Sequence, residues 1–572
     1  MQNINDERKK CRKQFMENNR MTFIITLILQ IIVAAVNISL AFFIMLIVDA
    51  MQKTDLALFK RSMIFIAIVL VVFLLFSTLL KIFKNSYMKR ALSQFKKYVF
   101  EKILKKSIGE FSGALSGKVI SSFSNDLSLI ELNYLNGNIN IFYNAVMFIV
   151  TLAAMAYINM TIMLCVVCGC IIPVTVSLIY GRRLVTKEKK TSDENESFVD
   201  QLKDLLNGFF VIKSFKAEKE VLELFRNQNF TLEETKRDRR ETNDAMFIAG
   251  QISSLLVVGI IFILGIYFTF KGVMSIASVL ACVQLSNYIL EPIKQLVPLI
   301  SNRKAAIALI DKIADVIKDE EIKDDKIRIN GIKSSIVLKD VTLSYDKGKV
   351  VLDGINMTFE KGKSYAIVGG SGCGKSTLIK LLLGYFNNYG GEVKLDEKEL
   401  SNINLDSLYD VVSVIQQNVF LFDKSIKSNI TMFKEFDKDK MDRAISRAGL
   451  SNLISEKGEN YNCGESGHNL SGGEKQRVSI ARCLIRETPV LLMDEATAAL
   501  DNATAFQVEN EILDMKELTR IIVTHKLEES LLRKYDEIVV MHDGTIEEKG
   551  TFEQLMEAGG YFYSLFNVAK AS

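Results

Sequence analysis

Long runs without a charged residue fill the first half of this 572-residue chain, and they constrain its fold more than any other feature. A helix rises about 1.5 Å per residue, so crossing a hydrocarbon core about 30 Å thick takes roughly 20 apolar residues. Five runs reach or approach that length, and the third is long enough for two crossings, with a predicted break near residues 158–161: residues 21–48, 62–80, 132–181, 245–270 and 272–290. The runs therefore predict six membrane-spanning helices, rather than buried helices in a soluble core.

Basic residues flank these runs unevenly. Lysine and arginine cluster before the first predicted span and after the second and the fourth, and such clusters mark the cytosolic side. The outer connections are short, whereas the inner connections 82–131 and 182–244 are long, charged and helical in pattern. We expect the N-terminus in the cytosol and two helical hairpins that extend into it. Residues 1–20 are either an amphipathic helix on the inner leaflet or a disordered basic tail.

The middles of the predicted spans contain no Asp, Glu, Lys, Arg or His. A charge there costs several kcal/mol and usually marks an ion or proton path, so we expect the energy input to come from elsewhere. The net charge of +4 is small for this length and gives no reason to expect a nucleic-acid partner. The eight cysteines have no spacing typical of a zinc site or a disulfide framework.

The second half of the chain contains a predicted phosphate-binding motif. An apolar run at 365–368 predicts a strand, another at 378–383 predicts a helix, and a glycine-rich loop connects them. Backbone amides of such a loop and of the helix N-terminus bind phosphate oxygens. Lys375 is placed for the β- and γ-phosphates and the Ser376 hydroxyl for Mg²⁺. The loop is Gly369-Gly370-Ser371-Gly372-Cys373-Gly374-Lys375-Ser376-Thr377.

Two later strands are predicted to end in polar residues at the same sheet edge. The apolar run 490–493 is followed by Asp494 and Glu495, and the run 521–524 by His525. We expect Asp494 to hold Mg²⁺ through water, Glu495 to polarise an attacking water and His525 to contact the γ-phosphate. Strands and helices alternate around them, which predicts a mixed α/β domain.

The stretch Leu470-Ser471-Gly472-Gly473-Glu474-Lys475-Gln476-Arg477 resembles the signature motif of the ATP-binding cassette (ABC) ATPases. The chain resembles an ABC exporter half-transporter along its whole length. This resemblance implies an all-α six-helix transmembrane domain over residues 1–318, followed by an α/β P-loop ATPase domain over 334–572. A charged segment predicts a linker at 319–333.

The resemblance also implies roles for individual residues. Tyr345 would stack on adenine, Gln417 would touch Mg²⁺, and the loop that contains Asp501 would run between two nucleotide-binding domains. Lys375, Glu495 and His525 would be catalytic, with ATP and Mg²⁺ as cofactors. Two positions depart from the usual pattern: Glu474 replaces a commoner glutamine, and Gln416 replaces a frequent proline.

In this family two protomers enclose two ATP molecules, each between one phosphate loop and Ser471-Gly472-Gly473 of the other protomer. The resemblance thus implies a homodimer or heterodimer that exports an apolar or amphiphilic substrate (drug, lipid or peptide) across the cytoplasmic membrane, with both termini cytosolic. An ATP-gated channel or sensor shares every motif and stays an alternative. A soluble DNA-repair ATPase with a similar signature conflicts with the six spans, and importers generally keep the two domains on separate chains.

Cys373 is an additional expectation within the phosphate loop. It lies among the phosphate-binding amides, near Lys375 and a helix N-terminus, a setting that favours the reactive thiolate. We therefore predict that alkylation of this thiol inhibits hydrolysis and that ATP protects it.

Overall fold

The computed structural model describes residues 2–111, 119–318, 326–345, 348–497 and 500–571, which form two compact units. The first unit contains Met1–Lys105 and Gly113–Asp319, and the second contains Lys106–Ser112 and Glu320–Ser572. Most of the charged part of the predicted linker lies outside the described residues. In its last part, Ile329 and Ile332 are buried in the core of the second unit. The domain limits at 318 and 334 stay predictions.

The described part of the first unit is helical. Six of its helices are long and apolar enough to span a membrane, which confirms the predicted number. Within α4, Ser122–Asp126 and Glu131–Leu135 are π-helical turns that the sequence did not predict. In chain order the helices are α1 (Gln2–Gln14), α2 (Arg20–Gln52), α3 (Leu56–Leu104), α4 (Val119–Ile158), α5 (Met160–Asn207), α6 (Phe209–Ser214), α7 (Glu218–Phe270) and α8 (Ile276–Ile317).

Polar side chains cap the helices where the chain turns. The predicted break in the third apolar run is confirmed at Asn159, which separates α4 from α5 and accepts the backbone N–H of Ile162 at 3.0 Å. Asp55 caps α3 and Ser275 caps α8 in the same way. These caps satisfy amides that have no partner within the helix. The helices also continue beyond their apolar runs, as expected for the two long connections.

The N-terminal segment is ordered, so the alternative of a disordered tail is wrong. Cys11 and Phe15 are buried against α3 and α8, and the Phe15 ring stacks on Phe95 with centroids 4.4 Å apart. The basic side chains pair with acids on α8: Arg8 with Asp315 at 2.8 Å and Arg12 with Asp311 at 2.6 Å. The apolar side of α1 is therefore covered by protein, whereas a helix lying on the leaflet would place it in lipid.

The second unit has two sheets, and its strands in chain order are β1 (Ser335–Tyr345), β2 (Lys349–Glu360), β3 (Ser364–Gly369), β4 (Gly390–Leu395), β5 (Lys398–Glu399), β6 (Val412–Ile415), β7 (Val490–Asp494), β8 (Thr519–Val523), β9 (Glu537–His542) and β10 (Thr545–Gly550). Its described helices are α9 (Lys375–Leu382), α10 (Leu405–Val411), α11 (Ile426–Thr431), α12 (Lys438–Arg447), α13 (Ser451–Lys457), α14 (Gly472–Leu484), α15 (Asn502–Leu513), α16 (Glu529–Leu532), α17 (Phe552–Ala558) and α18 (Tyr561–Ala571).

The larger sheet positions the site. Its order is β10-β9-β3-β8-β7-β6, and all neighbouring strands are parallel except β10 with β9. The smaller sheet has the antiparallel order β2-β1-β4-β5. The predicted α/β fold is confirmed. Because β3, β7 and β8 are adjacent and parallel, the residues that follow them emerge at one edge.

Candidate functional site

The glycine-rich loop joins β3 to α9, as the sequence predicted. Gly369 has φ of 153°, and a Cβ built on it would lie 2.1 Å from the Met541 carbonyl oxygen. Gly374 has φ of 104°, and its Cβ would lie 2.9 Å from the Val351 carbonyl oxygen. Only glycine fits these two positions. The loop can therefore turn tightly into the first turn of α9, where backbone amides and the helix dipole favour an anion.

Lys375 is held inside this loop. Its side chain is buried, and Nζ donates to the carbonyl oxygens of Gly369 at 2.9 Å and Gly370 at 2.8 Å. The same nitrogen lies 3.8 Å from Sγ of Cys373. The loop thus concentrates a positive charge and a thiol within one turn of backbone.

The Ser376 hydroxyl donates to Oδ1 of Asp494 at 3.0 Å, joining the start of α9 to the end of β7. Burial raises the pKa of Asp494, the negative charge of Glu495 adds to the effect, and the Ser376 hydrogen bond opposes it. A hydroxyl and a carboxylate are hard oxygen ligands of the kind that Mg²⁺ prefers. A divalent cation would also stabilise the ionised form of a desolvated carboxylate, so these residues fit Mg²⁺ chemically.

Glu495 is the most constrained acid of the site. It has φ of 51°, a left-handed conformation that costs a non-glycine residue about 1–3 kcal/mol. Its backbone N–H donates to the Val523 carbonyl oxygen at 3.1 Å, which anchors the turn after β7. One carboxylate oxygen lies 2.8 Å from Nε2 of His525, and the other accepts from Nε2 of Gln417 at 2.6 Å. The structure therefore brings together three residues from the ends of β6, β7 and β8.

Tyr345 lies beside the loop. Its hydroxyl is 3.3 Å from Oγ1 of Thr377, and its ring meets Phe386 edge-on with centroids 5.4 Å apart. The exposed fraction of Tyr345 is 45%, so a face of the ring remains accessible for stacking. This placement is compatible with the predicted adenine contact.

The signature residues begin a different helix. Ser471 caps α14: its hydroxyl accepts the N–H of Glu474 at 3.3 Å, and the Glu474 carboxylate accepts the N–H of Ser471 at 2.6 Å. Burial opposes ionisation of Glu474, but these Ser471 hydrogen bonds and the Lys457 charge lower its pKa overall. Glutamine makes the same reciprocal cap, which explains why either residue suits this position. Among the described residues, no hydrogen bond joins Ser471, Gly472 or Gly473 to the phosphate loop.

The segment after Glu495 packs against a buried acid, Glu509, whose role the sequence did not predict. Glu509 of α15 is buried and accepts from Tyr535 Oη at 2.6 Å and from Thr497 Oγ1 at 3.5 Å. Burial raises the pKa of Glu509. Glu509 lies on the apolar face of α15, next to Val508 and Ile512, and this position in the sequence indicates burial. Asp501 caps the same helix by accepting the N–H of Thr504 at 2.9 Å, so it has a structural role besides any contact with a partner.

Comparison with known protein families gives two matches within the chain. A model of the ABC transporter transmembrane region matches residues 23–293, and a model of the ABC transporter ATPase domain matches residues 352–498. The first match covers most of the six apolar helices, and the second contains the phosphate loop, the signature and Glu495.

Similar proteins span nearly the same length. YgaD of Bacillus subtilis (strain 168), named as a candidate multidrug export ATP-binding/permease protein, is 26% identical over 97% of this chain and 98% of that protein. The ATP-dependent lipid A-core flippase of Saccharophagus degradans is 27% identical over 85% of this chain and 83% of the flippase. A β-(1→2)glucan export ATP-binding/permease protein, NdvA of Bradyrhizobium diazoefficiens, is 27% identical over 82% of this chain and 78% of that protein.

The fold also has a solved counterpart. The structure of a bacterial Atm1-family ABC exporter with ATP bound superimposes with a TM-score of 0.84, covering 96% of this chain and 99% of that one. The two sequences are 21% identical, so the match concerns the fold. The matched region contains both the helical unit and the α/β unit.

Proposed function

Because the chain belongs to the ABC transporter family, we propose that it couples ATP hydrolysis to the export of an apolar or amphiphilic substrate across the cytoplasmic membrane. The observation that carries this proposal is the arrangement of Glu495 with Gln417 and His525 beside the Ser376–Asp494 pair. This site occurs in the same chain as six helices able to span a membrane. Hydrolysis and transport therefore have their machinery on one polypeptide.

In the proposed reaction, Lys375 and the loop amides bind the β- and γ-phosphates of ATP. Ser376, Gln417 and Asp494 would hold Mg²⁺, which would supply charge neutralisation at the phosphates. Glu495 orients and polarises the attacking water, because its carboxylate is held in a fixed position by Gln417 and His525. His525 follows β8 and its side chain is half exposed, so it would contact the γ-phosphate in the proposed reaction.

We assign the second half of each ATP site to a partner protomer, either identical or different. The half-transporter architecture implies a dimer, and Ser471, Gly472 and Gly473 open a helix of 13 residues whose N-terminus favours a phosphate. The domain limits, the cytosolic location of both termini and the cytosolic ATPase domain belong to the same proposal.

The relatives support a transport function without selecting a substrate. Their names include multidrug export, glucan export and lipid A-core flipping, at identities of 26–27%. The chemistry common to those names is ATP-dependent movement across a membrane. Drug, lipid and peptide all remain within the proposed substrate class.

Reconstituted vesicles test this function. With the ATPase domain facing outward, added ATP and Mg²⁺ should drive accumulation of a fluorescent amphiphile inside the vesicles against its gradient. The Glu495→Gln protein in the same vesicles is the control and should not accumulate it. Passive, ATP-dependent flux that stops when the gradient is spent would instead support the gated-channel alternative.

A further inference from the structure

A cavity of about 560 Å³ is lined by α5, α7 and α8 of the first unit, and it is open, because several of its lining side chains, Phe247 among them, are exposed. Apolar side chains form one wall, namely Pro173, Val176 and Leu184 from α5 and Met246 and Phe247 from α7. Pockets that bind small molecules commonly have volumes of about 300–1,000 Å³ and mostly apolar linings with a few polar groups. The cavity therefore has the size and wall of a small-ligand site.

The sequence places this cavity at one end of the apolar spans. In α5 the charged residues begin at Arg182, and in α7 the uncharged stretch begins at Ala245, directly after Asp244. The lining residues lie on both sides of these two points. The cavity consequently extends from the apolar part of the helices to their first charged turns, where a membrane has its interface.

Three charged side chains line the cavity: Glu188, Arg239 and Lys294. Nη1 of Arg239 donates to both carboxylate oxygens of Glu188, at 3.0 and 3.3 Å, so these two charges offset each other. Within the described parts of the chain, Lys294 has no ion-pair partner. The lining is left with an excess of one positive charge, carried by Lys294 on α8.

Two hydrogen-bond donors of the lining are also unused. Ser177 is only 3% exposed, and neither its Oγ nor Nε of Arg239 has a hydrogen-bond partner among the residues the structure describes. By contrast, the hydroxyls of Ser253 and Ser254 in α7 donate to carbonyl oxygens of their own helix at 2.7 and 2.8 Å. Buried donors are usually paired, so an acceptor group of a ligand would complete this wall.

Resting on the export function proposed above, we propose that this cavity binds single-chain amphiphiles that carry one anionic head group. The head group contacts Lys294 and Nε of Arg239, Ser177 donates a further hydrogen bond, and the chain lies along the apolar wall. Hydrogen bonds between ionised groups are the strong ones, so charge provides the selectivity. A cationic amphiphile of equal chain length would bring its charge next to Lys294 and bind more weakly.

The absence of tryptophan from the chain allows a direct test. A Phe247→Trp substitution places a single indole at the cavity wall of the full-length protein, which is reconstituted in phosphatidylcholine vesicles that contain no other protein. The probe is 12-bromododecanoate, whose bromine quenches a nearby indole, and the comparison probe is 12-bromododecyltrimethylammonium. We expect half-maximal quenching by the carboxylate at a concentration at least about tenfold lower than by the cation.

A matched pair of lysine variants separates the site from the membrane surface. Lys294→Gln in the Phe247→Trp background should raise the required carboxylate concentration about tenfold and leave quenching by the cation unchanged or stronger. Lys304→Gln, which changes an exposed lysine of the same helix outside the cavity, should change neither. If Phe247→Trp does not fold, Met246→Trp reports on the same wall.

Equal quenching by the two probes would overturn the proposal, and so would equal effects of the two lysine variants. The vesicle assay keeps this outcome distinct from failure of the export function. Accumulation driven by ATP without charge-selective quenching rejects the cavity alone. Selective quenching without any ATP-driven accumulation upholds the cavity as a binding site and rejects export.

Discussion

The candidate ATPase site and the α5–α7–α8 cavity differ in whether their polar side chains have partners within the chain. At the candidate ATPase site one carboxylate oxygen of Glu495 lies within ion-pair distance of His525, and the other accepts a hydrogen bond from Gln417. In the cavity, within the described residues, the hydroxyl of Ser177 has no hydrogen bond and Lys294 no ion pair. The chain therefore orders the groups proposed for hydrolysis with its own side chains, whereas the groups of the cavity are left for the proposed ligand. This explains why the sequence predicts a reaction and leaves the substrate open.

The largest effect should come from Glu495, the centre of the ordered site. Glu495→Gln keeps the shape and the hydrogen-bonding capacity of the side chain but removes the proposed base. General-base catalysis contributes about 10²–10⁴-fold, so phosphate release should fall by at least about 100-fold while ATP still binds. Steady-state phosphate release and equilibrium binding of a fluorescent ATP analogue measure the two quantities.

Glu511→Gln is the matched control, because Glu511 is an exposed residue of α15. It should leave both quantities unchanged. Wild-type hydrolysis by the Glu495→Gln protein would show that the most ordered carboxylate of the site is not the base. The order of this site would then no longer indicate its function.

Lys375 should give the next largest effect, and on a different quantity. Its ammonium group makes two hydrogen bonds within the loop and is proposed to supply the charge for the phosphates. Hydrogen bonds to charged groups are worth about 1.5–3 kcal/mol, so Lys375→Ala should weaken ATP binding on the order of 10- to 100-fold and reduce hydrolysis with it. Lys380→Ala changes an exposed lysine of the same helix and should have a much smaller effect. Unchanged ATP affinity in Lys375→Ala would exclude Lys375 from phosphate binding.

Alkylation of Cys373 tests whether the phosphate loop is accessible to a thiol reagent. The residue is 6% exposed, and Cys168 in α5 is exposed, so total labelling does not report on the loop. The informative measurement is loss of hydrolysis with time in N-ethylmaleimide, which should slow about tenfold or more when ATP saturates the site. The Cys373→Ala protein should hydrolyse ATP and resist the reagent. Equal inactivation of Cys373→Ala and wild type would assign the effect to another thiol.

Local physics explains what the sequence could predict. A membrane span is decided by the composition of about 20 consecutive residues, so the six apolar helices and the turn at Asn159 could be read directly. The phosphate loop is equally local, because Gly369 and Gly374 are required by their own backbone conformation. The common sheet edge of the residues that follow β3, β7 and β8 was predicted from alternating strands and helices, whereas the order of these strands was not.

The remaining features depend on contacts between distant residues. The basic pattern of residues 1–20 is compatible with lipid, and the acids that actually pair with it lie on α8, at Asp311 and Asp315. The cavity exists only where α5, α7 and α8 meet, so no single segment indicates Lys294 or Ser177 as part of a site. The role of Glu509 depends on Tyr535, 26 residues away. Such pairings are tertiary, and one sequence does not reveal them.

Substitution of Glu509 should give the smallest effect. The measured quantity is the pH dependence of stability, which reports how Glu509 stabilises the segment after Glu495. Burial raises the pKa of this carboxyl above its ordinary value of 4.5, so the folded state favours the neutral form. Ionisation then opposes folding, and the wild type loses stability as pH rises above 4.5 towards the raised pKa. Glu509→Gln does not titrate, so its melting temperature should exceed that of the wild type by a margin that grows with pH in this window.

Glu509→Ala separates this titration from the hydrogen bonds. It leaves the buried Tyr535 hydroxyl and Thr497 without an acceptor, so it should destabilise the second unit by about 1–3 kcal/mol at every pH. Thermal unfolding of the full-length variants between pH 5 and 8 makes the measurement. If Glu509→Gln follows the wild type at each pH, the carboxyl does not titrate in this range, and the hydrogen bonds to Tyr535 and Thr497 are its whole contribution. A stable Glu509→Ala protein would then show that the segment after Glu495 is held by other contacts.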